Sequence, residues 1–306
     1  MKRLLATSMM MLLTLTGCVV GRSIAQLARP TDKIAHEGKV TTQAADAQIR
    51  VGWIGHASML VQIGDRTVLT DPVFTTTVGQ VSKRLVEPGF LPEQLPPIDA
   101  VLISHMHFDH LSYGSLDAIE AKTTRLFVPP GGVTYLPDYA FDVRELDRWE
   151  AFEDRGLRIT ALPAAHVGFR YGVDAAWMTE SFTGYLIEYR GMSVYFAGDT
   201  AYDGDAFRAT HARFPTIDVA LIPIAPNSPR ALMRHTHVDA KEALQAFVDL
   251  GARVMVPMHY DTFINSYDEP GEALRALEAA RVTRNLAAEK IRPLRIGELT
   301  TFASAE

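Results

Sequence analysis

Cysteine is almost missing from this chain: 306 residues hold one, Cys18. A single thiol cannot close an intramolecular disulfide. A basic surplus is missing too. Lys and Arg number 30 against 36 Asp and Glu, a net charge of −6 with pI near 5.9. No electropositive footprint invites nucleic acid, which is therefore not expected as a partner. The longest apolar candidate for a membrane span, Leu4 to Leu15, is about a dozen residues, short of the roughly 20 that spanning requires. What remains is 47% hydrophobic and long enough for one large domain with a full core.

The N-terminus reads as an address. Lys2 and Arg3 precede the short apolar segment, which ends in Leu15-Thr16-Gly17-Cys18. A basic start, an apolar middle and small residues before the cut describe a secretory signal over residues 1–17. The ending resembles the bacterial lipobox. That resemblance implies cleavage before Cys18 and a lipid on it, anchoring the chain to a membrane without spanning it. Val19 stands where an inner-membrane retention aspartate would be expected by analogy, so the lean is to the cell envelope, at the outer membrane facing the periplasm. Residues 18–47 are polar and aperiodic and read as a lipid-anchored tether or loosely docked arm. Residues 48–306 form the domain.

The densest chemistry is His105-Met106-His107-Phe108-Asp109-His110, directly after the apolar Ala100-Val101-Leu102-Ile103. A buried strand opening into a loop of nitrogen and oxygen donors suits a metal. Alternate side chains share a face, so His105 and His107 point together, with Asp109 and His110 beyond them for a second ion. A histidine-rich surface loop is the bland alternative, and this density after a core strand argues against it. Three further donors end apolar runs: His166 after Leu157–Leu162, Asp199 after Ser193–Gly198, and His259 after Arg253–Met258. Singly, each reads as an ordinary core histidine or turn aspartate. Together they complete two metal sites.

This order of donors resembles the metallo-β-lactamase superfamily. The match is closest to the branch containing N-acyl phosphatidylethanolamine phospholipase D and its bacterial relatives. It is carried by Trp53-Ile54-Gly55-His56-Ala57-Ser58, Leu69-Thr70-Asp71-Pro72-Val73-Phe74, the run from Leu95 to His105, Phe196-Ala197-Gly198-Asp199-Thr200, Ala220–Ile224 and His237-Val238-Asp239. It covers roughly residues 48 to 300. Two stretches depart from the branch. Val167-Gly168-Phe169-Arg170-Tyr171 differs from its usual aromatic and basic pattern, and Tyr260-Asp261-Thr262-Phe263 is also similar to the ascorbate phosphate lactonase-like branch.

The resemblance implies an αββα sandwich, two mixed β-sheets flanked by helices, with metals at one edge. It further implies that His105, His107 and His166 hold one ion, that Asp109, His110 and His259 hold the other, and that Asp199 bridges them. Two divalent ions about 3.5–4 Å apart would share a water and lower its pKa towards about 7. Zinc suits the mixed imidazole and carboxylate set first, with manganese or iron as alternatives. Asp109 and His237 are the residues expected at the reacting centre. Diiron redox relatives carry glutamate where His107 stands, so hydrolysis is favoured. A phosphodiester, phospholipids included, leads as substrate. A lactone or ester is the runner-up, a β-lactam weaker, and a non-catalytic metal-dependent binding lipoprotein the rival from another class.

Around that set, Asp71 is placed to accept the second N–H of a metal-bound histidine, and His56 is a neighbour of the same kind. Their plainer readings are an Asp-Pro turn and a satisfied core histidine. His235 reads as an exposed loop residue. Asp239 with Glu242 looks like a capping pair for a helix to Leu250, and Glu272–Arg284 is helical by its alanine and leucine. Strands are expected over Ile49–Ile54, Met59–Ile63 and Thr67–Leu69. Thr75 to Pro97 is long and proline-rich, as binding loops often are. There Phe74, Leu85, Phe90 and Leu91 either line an acyl pocket or, the preferred reading, pin the loop to the core. Trp177, Met178 and Phe182 pose the same choice.

Overall fold

Apolar alternation sorts the first strands into two faces. In the computed structural model, which describes residues 21–36, 38–79 and 82–303, the leading elements are β1 (Ile49–Gly55), β2 (Ser58–Ile63) and β3 (Arg66–Thr70). Met59, Val61 and Val68 point into one buried cluster and Leu60 and Leu69 into another, as successive Cβ atoms must. Cys18 and the signal segment lie outside the described residues.

The two-residue pair β4 (Thr77–Val78) and β5 (Ser82–Lys83) forms a small hairpin, followed by β6 (Ala100–Leu102), β7 (Arg125–Val128) and β8 (Asp142–Glu145). Then come β9 (Ala151–Asp154), β10 (Leu157–Leu162), β11 (Gly184–Tyr189), β12 (Met192–Phe196), β13 (Val219–Pro223), β14 (Val254–Met258) and β15 (Leu299–Phe302). A seven-stranded sheet runs β15-β1-β2-β3-β6-β7-β8, and a six-stranded sheet runs β14-β13-β12-β11-β10-β9. Both are mixed. β3, β6, β7 and β8 pair in parallel, as do β12, β13 and β14, and the other pairs are antiparallel.

Trp53, Leu102 and Phe127 from one sheet meet Ile159, Tyr185 and Tyr195 from the other in the central core. Helix α1 (Tyr113–Ile119) covers the outer face of the larger sheet through Leu116 and Ile119. Helices α2 (Gly204–Arg213), α3 (Ala240–Leu250) and α4 (Glu272–Thr283) flank the smaller one. The architecture is the αββα sandwich. Asp239 caps α3 by accepting from the Lys241 and Glu242 amides, and Glu242 closes the box. Gly251, at φ 62°, ends the helix in a left-handed turn.

The stretch read as a tether lies, in its described part, along the domain. Residues 21–27 are helical. Arg22 donates to the carbonyls of Ser266 and Asp268 and pairs with Glu269, and Ser23 donates to the Ile264 carbonyl. These long-range bonds are why it does not hang free. In the 75–97 segment Phe90 is buried in the outer core cluster with Phe74 packed beside it, so both pin the loop. Among the described residues no helix is long and apolar enough to cross a membrane.

Candidate metal centre

Every donor foreseen from sequence follows a strand end on one edge of the sandwich. His56 follows β1, Asp71 β3, the 105–110 run β6, His166 β10, Asp199 β12 and His259 β14. Strands running the same way deliver their C-terminal ends to one place, so residues 149 positions apart meet. His110 Nε2 lies 3.3 Å from His259 Nε2 and 3.2 Å from Asp199 Oδ2, and His105 Nε2 lies 2.8 Å from His107 Nδ1. His105, His107 and His166 form one donor group, and Asp109, His110 and His259, with His56 beside them, form another.

Four of the imidazoles are aimed by what their other nitrogen does. His166 Nδ1 donates to the Thr236 carbonyl at 2.8 Å, and His259 Nδ1 to the Ala225 carbonyl at 3.0 Å. His110 Nδ1 donates to Asp71 Oδ2 at 2.6 Å. His105 Nδ1 donates to Ser104 Oγ at 2.9 Å, and that hydroxyl passes its own proton to Asp71 Oδ2 at 2.6 Å. A neutral ring that donates from one nitrogen offers a lone pair on the other.

Those lone pairs face other acceptors. His259 Nε2 stands 3.0 Å from Asp199 Oδ1, and His166 Nε2 stands 4.0 Å from Asp199 Oδ2. The buried His166 Nε2 and Asp199 Oδ1 have no hydrogen-bond donor. Acceptors turned on one another in a dry pocket repel unless a cation sits between them. Burial holds His105 and His166 well below the ordinary histidine value, so both stay neutral and ready to coordinate. Burial opposes charge on both His110 and Asp199, yet their mutual attraction, with Asp71 and Asp109 also beside the ring, outweighs it: His110 is raised well above the ordinary histidine value and the Asp199 carboxylate stays ionised. The donor chemistry fits a pair of divalent cations.

Residues 66–260 match the Beta-lactamase superfamily domain. The chain belongs to the metallo-β-lactamase superfamily. It is similar to N-acyl-phosphatidylethanolamine-hydrolyzing phospholipase D 1 of Caenorhabditis elegans, 30% identical over 251 residues, 75% of this chain and 69% of that protein. It is 29% identical over 247 residues, 76% of its length, to an uncharacterized protein of Mycobacterium tuberculosis, and it spans about 64% of that protein. The fold is shared with Igni18, a metallo hydrolase from Ignicoccus hospitalis, at a TM-score of 0.62 and 23% identity over 85% of this chain and all of that one.

Behind the metallo-β-lactamase donors lies a second layer. Asp71 is fully buried. It takes the Ser104 amide at 2.7 Å on Oδ1, and the Ser104 hydroxyl and His110 on Oδ2. His56 Nε2 lies 3.0 Å from Asp109 Oδ2, and its ring packs tilted against that of His259, centroids 3.7 Å apart. His56 is therefore placed to orient Asp109, and burial lowers it to about 3. Asp109 itself stays a quarter exposed on the open side. His56, Asp71 and His259 have φ of 57°, 37° and 66°, a left-handed backbone that costs energy outside glycine and collects at working sites. Gly198, at φ 60°, is needed beside Asp199 because a Cβ there would stand 2.5 Å from the Ser104 Cβ.

His237 sits at the rim, its Nδ1 without a partner and 3.6 Å from Asp199 Oδ2. Burial lowers it to about 4, so the ring is neutral. His235 is exposed, two residues away. Reading the sequence missed Ser104, although it immediately precedes His105. It also missed Thr262, whose hydroxyl accepts from the His56 amide at 2.7 Å, and the aiming carbonyls of Thr236 and Ala225. Backbone carbonyls carry no residue signature. Met178 is buried in the outer cluster and so pins its segment, whereas Trp177 is exposed.

Proposed function

We propose that this protein is a dinuclear metal-dependent hydrolase acting on a phosphodiester of phospholipid type. One observation carries the reading: His166 Nε2, on a buried neutral ring aimed by the Thr236 carbonyl, and Asp199 Oδ1 face the centre with no hydrogen-bond partner. His105, His107 and His166 would hold one cation, Asp109, His110 and His259 the second, and Asp199 both. Bound there, two divalent ions, zinc first by ligand softness, supply Lewis-acid polarisation and a water acidic enough to attack at neutral pH. The chain supplies the rest. Asp71 and Ser104 fix His110 and His105, and His56 steadies Asp109. The neutral His237 offers an N–H to a substrate oxygen at the open rim.

The substrate class rests on the wall beside this centre. A groove of about 500 Å3 is lined by Val78, Phe108, Tyr113 and Tyr171 with the hydroxyls of Thr75 and Ser112. Tyr171, in its lining, is 57% exposed, and Val173 and Trp177, next along the chain, are exposed apolar side chains too. The nematode relative's name, a phospholipase D hydrolysing N-acyl-phosphatidylethanolamine, points the same way. A lipid on Cys18, at the outer membrane facing the periplasm, would hold the groove near such substrates. That placement rests on the Leu15–Cys18 ending and on Val19 after it.

The test is a panel of chromogenic phosphodiesters, lactones and β-lactams with zinc or manganese. Phosphodiester turnover lost in His107→Ala and kept in His235→Ala is expected. Turnover of lactones alone would move the substrate class, and none on any class would favour a binding protein. An unmodified Cys18 in the intact mass of the same preparation refutes the anchor.

A further inference from the structure

Arg170 is nine-tenths buried, yet no carboxylate lies within ion-pair distance of it among the described residues. Its Nη1 instead donates to two backbone carbonyls, Met106 and Leu111, both at 2.9 Å. Those carbonyls bracket the segment that carries His107, Asp109 and His110. Inside the bracket the chain turns on itself, with the His110 and Leu111 amides both donating to the His107 carbonyl, at 3.1 and 2.9 Å. Met106 and Leu111 are buried, so without Arg170 their carbonyls would lose a dry hydrogen bond.

The guanidinium is held as firmly as it holds. The Phe108 and Tyr113 rings lie 4.3 and 4.5 Å from its carbon, within cation–π range, with Tyr171 at 5.9 Å. Phe108 belongs to the donor loop itself. From behind, the Asp174 carboxylate accepts the Arg170 amide at 2.7 Å and the Tyr171 amide at 2.8 Å, and it takes the Tyr135 hydroxyl as well. Burial opposes charge on Asp174, but Tyr135 and these amides hold its carboxyl below the ordinary carboxylate range. Arg170 comes four residues after His166. One short segment therefore supplies a metal donor and grips the loop bearing three more, His107, Asp109 and His110.

We propose that Arg170 is a positioning residue that locks the 106–111 loop into its donor geometry, with Asp174 as the post that fixes it, so that the wall of the substrate groove and the metal loop move as one piece. The proposal deepens the metal-centre reading and rests on it for its consequence, tighter cation binding. A point charge would not do the same work. A planar guanidinium on a fixed stem can reach two carbonyls while stacked between rings, and an ammonium lacks the flat faces.

The test compares Arg170→Met, Arg170→Lys and Asp174→Asn with the wild-type full chain. Zinc affinity is measured by competition with a chelating dye, the visible spectrum after cobalt loading reports ligand geometry, and amide exchange is followed by mass spectrometry on the zinc-free protein. Zinc affinity in Arg170→Met is expected to fall by about 10–100-fold, the usual cost of removing an outer-layer partner. Its cobalt spectrum should change, and peptides covering 106–111 should exchange faster while those from β1 to β3 keep their rate. Arg170→Lys should recover part of each effect. If Arg170→Met fails to fold, Arg170→Lys and Asp174→Asn carry the same readouts with smaller changes. Zinc affinity within twofold of wild type together with unchanged exchange at 106–111 would overturn the proposal. If the wild-type chain takes up no zinc, the metal-centre reading fails separately, and the exchange rates still decide whether Arg170 locks the loop.

Discussion

Asp71→Ala is the sharpest perturbation of this centre, because it strips acceptors from three buried donors at once. The Ser104 amide loses a bond of 2.7 Å, and the Ser104 hydroxyl and His110 Nδ1 each lose one of 2.6 Å. A buried donor left without a partner costs about 1–3 kcal/mol, so three cost about 3–9 kcal/mol before relaxation. The hydroxyl can rotate and water can enter the vacated space, which favours the lower half of that range. Even about 3–5 kcal/mol is a large share of the roughly 5–15 kcal/mol that keeps a domain folded. Asp71→Asn keeps an acceptor for the Ser104 amide but turns an NH2 towards the other two donors, so it should fall between alanine and wild type. Urea denaturation of the zinc-free protein reads this order directly. A zinc titration should show affinity down by about 10–100-fold in both variants, since His110 is no longer aimed. If Asp71 served only as an Asp-Pro turn, asparagine would be neutral in both assays. An alanine variant with wild-type midpoint and zinc affinity would refute the reasoning.

Two further outcomes follow from the same geometry. Gly198→Ala should cost about 2–4 kcal/mol, from a left-handed φ and a Cβ driven into Ser104, and urea unfolding of that variant checks it. The zinc-free protein should also lose stability as pH falls from about 6.5 towards 4.5. His56 and His237 are lowered to about 3 and about 4 in the fold, so in this window the unfolded chain binds protons that the folded chain refuses. Each contributes up to about 2.5 kcal/mol by pH 4.5. A His56→Gln variant should show the shallower pH dependence of its melting temperature, and an equal slope would count against neutral burial of His56.

Much of the site is legible because it is dense. His105, His107, Asp109 and His110 sit within six positions after an apolar run, and a strand opening into donors is a local pattern that needs no partner to be seen. Asp239 and Glu242 declare a helix start in the same local way, and α3 begins there. His166, Asp199 and His259 are single letters. Each is ordinary alone, and only their order, read through the family resemblance, joined them to the first cluster. Arg170 and Ser104 were overlooked because what they do is expressed in backbone carbonyls and in one hydroxyl, which any residue string could contain.

Residue type and spacing along the chain determined which donors exist, that apolar runs precede them, and that no intramolecular disulfide can form. Tertiary structure alone decided that parallel strand ends deliver those donors to one edge, which nitrogen of each ring faces inward, and that the described part of the 18–47 arm lies on the domain. The reason is range. Spacing and periodicity report on neighbours in the chain, whereas the aim of an imidazole is set by a hydrogen bond to a carbonyl as many as 70 residues away.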